Sequence, residues 1–337
     1  MGATISRSGP HGPKIALAGA AVVLILAALP AFADRATLRL ATEMAGYLTL
    51  AVMWNLLAGY AGVMSIGQQV FVGLGGYAFF VVAGLWGVPV FAALPLAGAF
   101  AAFIALPIAL ILFRLNGAYF AVATWVVAEI AALVIAQTYA VGGGAGMSLP
   151  TQVAKSLGNN DQRSALIWWL ALALCCIAAG LAYLWMRSPR GLALMAMRDD
   201  EIAAAGLGVS TTRNRIMVYL IATFITGIAG AILFLVKLRI SPSAAFDVNE
   251  WTASIIFIVV IGGLGYLEGP LLGVLLFFAL RALLAGFGPW YLIALGALAI
   301  ATMLFAPGGL WGLIHRRFGW EIFPVRRRVI LTNGETP

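Results

Sequence analysis

Ten stretches of this chain are long, apolar and nearly free of charge, and they limit its possible folds more than any other feature. They run approximately over 15–33, 40–59, 65–84, 89–113, 117–137, 165–187, 216–236, 251–265, 268–286 and 289–306. A helix needs roughly 20 such residues to cross the hydrocarbon of a bilayer. Within hydrocarbon every backbone N–H and C=O must be satisfied by the protein itself, which leaves helices and closed barrels. Barrel strands alternate apolar with polar residues, and these runs do not. The expected fold is therefore all-α: a polytopic transmembrane helical bundle of about ten spans. The eighth span, from Trp251, is short and is expected to be tilted, broken or re-entrant. Charged residues make up only 9% of the chain, against roughly 25% in a soluble domain.

The net charge of +8 does not point to nucleic acid, because the arginines lie between apolar runs and in the C-terminal tail. With a cytoplasmic N-terminus, thirteen of the twenty Lys and Arg fall on the cytoplasmic side and six on the other. That asymmetry predicts both ends inside. Arg7 and Lys14 precede an apolar run ending in Ala31-Phe32-Ala33. A retained first helix is the preferred reading there, with a cleaved secretion signal as the alternative. The predicted organisation is a cytoplasmic segment over 1–14, a transmembrane body over 15–310 and a basic cytoplasmic tail over 311–337. The body carries a periplasmic loop at 139–164 and a cytoplasmic loop at 188–215. Cys175 and Cys176 lie together in an apolar run, and His11 and His315 lie near the ends, so no metal site is expected.

The cytoplasmic loop reads SPRGLALMAMRDDEIAAAGLGVSTTRNR. Ser188-Pro189 suits a helix start, residues 191–205 are good helix formers, and Gly206 and Gly208 suit its end. Leu194, Met197, Ile202 and Ala205 are expected to share one face, opposite Arg198, Asp199 and Glu201. Three consecutive acids, Asp199 to Glu201, would be repelled by an anionic leaflet, so a protein partner is expected rather than lipid.

Glu201–Gly206 resembles the loop by which permeases of ABC importers dock on their ATPases. The longer string resembles the branched-chain amino acid permease family of ABC importers, its LivM-type subunit in particular. Arg190, Arg198, Asp200, Glu201 and Gly206 match the family's motif positions. NLLAGYAGVMSIGQQVFVGLGGY at 55–77, LNGAYFAVATWVVAEI at 115–130 and IGGLGYLEGPLLG at 261–273 resemble further family segments. Together the likeness spans 55–311. Gln68-Gln69 departs from the pattern, where a Gly-His pair is expected.

The resemblance implies a permease subunit that forms half of a translocation pathway for branched-chain or related small amino acids in a bacterial inner membrane. The implied partners are a second related permease, two P-loop ATPase subunits and a periplasmic substrate-binding protein. Arg190, Arg198, Asp199, Asp200, Glu201, Ala204 and Gly206 would couple to the ATPase. No cofactor is expected in this chain; ATP and magnesium would sit on the ATPase. Lys14, Lys155 and Lys237 follow Pro13, Ala154 and Val236, so none completes a P-loop. An enzyme is not expected, since no span carries a nucleophile with a base.

Polar residues within the spans are candidates for the pathway: Asn55, Ser65, Gln68, Gln69, Tyr77, Asn116, Thr124 and Glu129, with Gly262 and Gly263 on its wall. Glu129 is expected either to hold an inter-helix hydrogen bond or to touch substrate. Glu43 and Arg281 are each expected to snorkel. Two other readings stay open: a urea or short-chain amide permease of the same class, and an ion-coupled secondary transporter.

Overall fold

A computed structural model describes residues 2–6, 12–115, 117–284, 286, 288, 290–319, 322–323 and 328–332. The described chain is built almost entirely of helices. The first four long ones are α1 (Gly12–Ala27), α2 (Arg35–Asn55), α3 (Gln69–Phe79) and α4 (Val90–Leu112). Then come α5 (Ala118–Gln137), the short α6 (Thr151–Ser156), α7 (Asn160–Arg187), α8 (Pro189–Asp199) and α9 (Glu201–Gly206). After them follow α10 (Thr211–Lys237), α11 (Pro242–Ala245), α12 (Ser254–Gly263), α13 (Gly269–Leu284), α14 (Trp290–Phe305) and α15 (Gly309–Phe318). Strand β1 (Gly2–Ser6) pairs antiparallel with β4 (Arg328–Thr332), and β2 (Met147–Ser148) with β3 (Arg239–Ile240).

Among the described residues, six helical stretches have the length and composition to cross a membrane: Val90–Leu112, Ala118–Gln137, Asn160–Arg187, Thr211–Lys237, Pro242–Gly263 and Ile293–Phe318. Leu17–Ala31, Gln69–Leu85 and Gly269–Leu284 are apolar but shorter. Helix α2 has a crossing length and carries Arg35, Arg39 and Glu43 in its first half. This is a multi-pass helical membrane protein.

Local chemistry explains where the helices begin. Asp34 caps α2 by accepting from the backbone N–H of Thr37, and Asn159 and Gln162 form a reciprocal capping box at the start of α7. The two starts are joined, because Arg35 donates to both carboxylate oxygens of Asp161, at 2.5 and 3.1 Å. The hydrogen bond from Arg35 holds the Asp161 carboxyl below its usual range, and the bond from the Thr37 hydroxyl does the same for Asp34.

Helix α10 is the most buried of the candidate spans, packing on α4, α3, α2 and α7. Glycines permit that approach. A Cβ on Gly75 would run into the Gly227 carbonyl, one on Gly230 into that of Val72, and one on Gly98 into Phe224 and Ile228. Small residues let membrane helices come this close, which replaces the hydrophobic drive that lipid removes.

Polar contacts between elements distant in sequence fall into two groups. One joins Asp161 to Arg35, Lys237 to Glu250, Arg281 to Glu43, and β2 to β3. The other joins Arg198 to Gly59, Asn55 to Gly265, and Glu268 to the backbone N–H groups of Ile322 and Phe323. Glu43 and Arg281 thus meet at 3.0 Å instead of snorkelling separately.

Three sequence expectations change. The third span is helical only from Gln69; residues 62–67 before it are irregular. The eighth, expected short from Trp251, starts earlier: helix runs without interruption from Asn249, through a π-helical turn at Asn249–Ala253, into α12, within a stretch Pro242–Gly263 that also holds α11. The helix expected over 191–205 is two helices. Asp200 is extended (φ −153°, ψ 108°), ends α8 and caps α9 by accepting from the N–H of Ala203 at 2.9 Å. That kink redirects the second half: Leu194, Met197 and Ala204 are buried, while Ile202 and Ala205 are exposed.

Candidate functional site

The buried polar residues gather where α3 begins, beside the middle of α10. Gln68, Gln69, Ser65, Thr226 and Thr252 are all fully buried. Gln68 Nε2 donates to Thr226 Oγ1 at 2.8 Å, while Thr252 Oγ1 donates to Gln69 Oε1 and accepts from the Gln69 N–H. Gln68 Oε1, Gln69 Nε2 and the Tyr77 hydroxyl are buried without a hydrogen-bond partner among the described residues. Tyr77 stacks on Phe246, with ring centroids 6.2 Å apart.

Irregular backbone is tolerated at this depth only where protein or a cavity satisfies it. The 62–67 segment meets that condition through side chains. Trp54 Nε1 donates to the Ser65 carbonyl at 2.8 Å, Thr124 Oγ1 accepts from the Ile66 N–H at 3.0 Å, and Ser65 Oγ accepts from the Gly67 N–H at 3.2 Å. Gly67 is required there, because a Cβ would overlap the Thr124 carbonyl.

The second concentration is α8–α9, against the C-terminal end of α2 and the N-terminal end of α10. Ser188 caps α8, accepting from the Gly191 N–H, and Pro189 occupies the first turn. Arg198 Nη1 donates to the Gly59 carbonyl at 2.8 Å, while its Nε and Nη2 hold Asp199. Glu201 and Arg215 form a two-pronged ion pair with both distances at 2.7 Å, which fastens α9 to α10. Asn55 continues the link: its Oδ1 accepts from the Gly265 N–H at 2.9 Å and its Nδ2 donates to the Tyr266 carbonyl at 2.7 Å. Gly265 has φ +77°, a conformation that favours glycine. A cavity of about 60 Å³ lies between α8, this turn and α15, with Arg198, Glu268, Trp311 and His315 in its wall. A larger one, about 320 Å³, opens between residues 62–64, the start of α5 and Arg215. Ile202 and Leu207, 86% and 84% exposed, project from α9.

A model of the family described as "branched-chain amino acid transport system / permease component" matches residues 36–307. The chain belongs to that permease family. It is 28% identical over 313 residues to the high-affinity branched-chain amino acid transport system permease protein LivM of Salmonella typhimurium, covering 86% of this chain and 73% of that protein. The Escherichia coli protein of the same description matches at the same identity and coverage. A probable branched-chain amino acid transport permease protein LivM of Methanocaldococcus jannaschii is 31% identical over 148 residues, 43% of this chain and 41% of that one. No solved structure matches.

The permease fold brings Ser65, Gln68, Gln69 and Thr124 together. It sets Asn55 apart, at the turn of residues 265–266. Gly262 and Gly263 are buried in helix packing: a Cβ on Gly262 would overlap the Gly269 carbonyl. Glu129 is exposed, and its hydrogen bond is to Trp125 on its own helix, 3.1 Å, rather than across helices. Asn116 lies outside the described residues. Arg190 is exposed, with its guanidinium 5.6 Å from the Trp185 ring centroid. Gly206 is exposed at the end of α9. Sequence reasoning misses Thr226, Thr252 and Arg215. A threonine in an apolar span and an arginine at its edge carry no signal until the fold supplies their partners.

Proposed function

We propose that this permease is one of two related transmembrane subunits of an ATP-driven importer for branched-chain or related small amino acids. In this reading the chain crosses a bacterial inner membrane ten times with both ends in the cytoplasm. The grouping of the polar contacts into two sets supports that path, as does the pairing of β1 with β4, which brings the two ends together.

The observation that carries the reading is the build of α8–α9. It is fastened to α2 through Arg198 and to α10 through Arg215, yet it presents Ile202 and Leu207 outward. A unit held firmly on its membrane side and apolar on its outer side suits docking to a soluble protein, here a P-loop ATPase carrying ATP and magnesium. Closure of two ATPase subunits would push α8–α9 and, through Gly59 and α10, move the helices that bound the Gln68–Thr226 and Gln69–Thr252 pairs. ATP can bias the permease only by binding its two states unequally, and this lever would carry that difference. A periplasmic binding protein would deliver substrate to the opposite face.

Purification from the native membrane in mild detergent tests this. A P-loop ATPase and a second permease are expected to co-purify. Recovery of the chain alone, in a form that still transports, would favour an ion-coupled carrier. Uptake assays with leucine, urea and acetamide then separate the amino acid reading from the amide one.

A further inference from the structure

Glu129 stands near the middle of α5, in a run with no other charged residue between Ala118 and Gln137. It is exposed, as are Val122, Trp125, Val126 and Leu133 on the same face. The opposite face, through Phe120, Thr124 and Ala128, is buried against the rest of the chain. Trp125 Nε1 donates to Glu129 Oε1 at 3.1 Å, and Oε2 makes no hydrogen bond among the described residues. Lipid cannot solvate a carboxylate at that depth, and such groups face a partner or a water-filled path.

We propose that this face of α5 borders the substrate's route, and that Glu129 receives the ammonium group of the amino acid. The inference rests on the permease reading above and names a recognition element for it. The chemistry of the face matches an aliphatic zwitterion in two respects. One carboxylate, oriented by an indole N–H, complements one ammonium through a charge-assisted hydrogen bond. The flanking Val122, Val126 and Leu133 offer aliphatic contact to the side chain. A face meant for lipid would need no carboxylate, and one meant for a strongly polar solute would not be so apolar.

The test is uptake by the complete transporter in proteoliposomes, with wild type, Glu129→Gln and Glu129→Asp compared on leucine and on 4-methylpentanoate, which lacks the amine. Loss of a hydrogen bond to a charged group should lower leucine uptake by the Gln variant on the order of tenfold or more. Its preference for leucine over 4-methylpentanoate should shrink, while the Asp variant keeps most of it. An unchanged preference in the Gln variant would overturn the proposal. So would loss of the co-purifying second permease from that variant, since Glu129 would then be an interface residue. A wild-type complex that moves no amino acid would instead remove the permease reading underneath, and the proposal with it.

Discussion

The guanidinium of Arg198, at the end of α8, donates to the carbonyl oxygen of Gly59, 139 residues earlier in the chain, at 2.8 Å. Gly59 lies in the π-helical turn that extends α2, so α8 grips the C-terminal end of that helix directly. A hydrogen bond from a charged donor contributes roughly 1.5–3 kcal/mol. Arg198→Ala should therefore reduce ATP-dependent uptake by about tenfold or more, with the amount of protein in the membrane unchanged by immunoblot. Asp199→Ala removes only an exposed ion pair, for which about 0–1 kcal/mol is usual, and should transport nearly as wild type.

Glu201 is engaged by Arg215 and is not a free docking carboxylate. Removing it strands Arg215, whose Nε is already buried without a partner among the described residues. Glu201→Ala and Arg215→Ala should each weaken coupled uptake while leaving membrane insertion intact. Because they break one link, the double variant should be no worse than the more damaging single one. Additive losses in that cycle would mean that Glu201 acts on something other than α10.

The contact of α3 with α10 leaves no space for a methyl group at Gly75. Gly75→Ala should force the helices apart, at a cost of about 1–3 kcal/mol for overpacking, and lower the thermal unfolding midpoint in detergent by at least about 2 °C. At Gly180 on α7 a methyl group would meet no atom within 4 Å, so Gly180→Ala should not lower the midpoint, and helix propensity should raise it slightly. Equal midpoints for the two variants would contradict the packing described.

Acid should loosen the start of α2 and α7. The carboxyls of Asp34 and Asp161 are held below their ordinary value of 3.8 in the folded chain. Their stabilisation is therefore fully present above that value and is lost as pH falls through the lower folded values. Hydrogen exchange at residues 35–42 should be protected equally at pH 7 and at about pH 5, and less so below the ordinary value. Asp161→Asn should remove part of that dependence.

The membrane class and the family were legible because both rest on runs of adjacent residues: apolar stretches of helix-crossing length, and short strings such as that from Ser188 to Ser210. The pairings were not. Gln68 meets Thr226 and Gln69 meets Thr252 across more than 150 residues, and nothing local to either announces it. The break at Asp200 shows a different limit. Helix propensity favoured continuity from Gly191 to Ala205, but an aspartate at an N-cap position offered the backbone a competing hydrogen bond, and the cap prevailed. Glu129 was recognisable as unusual, whereas its exposure depended on which face of α5 the irregular 62–67 segment occupies.

On the proposed reading, ATP acting on α8–α9 drives transport through this permease. The most direct measurement is leucine accumulation by sealed membrane vesicles that contain the chain and its co-purifying proteins. ATP would be supplied with an ionophore in one arm, and an ion gradient without ATP in the other. Accumulation that requires ATP and survives the ionophore is the predicted result. Accumulation under the gradient without ATP would contradict it.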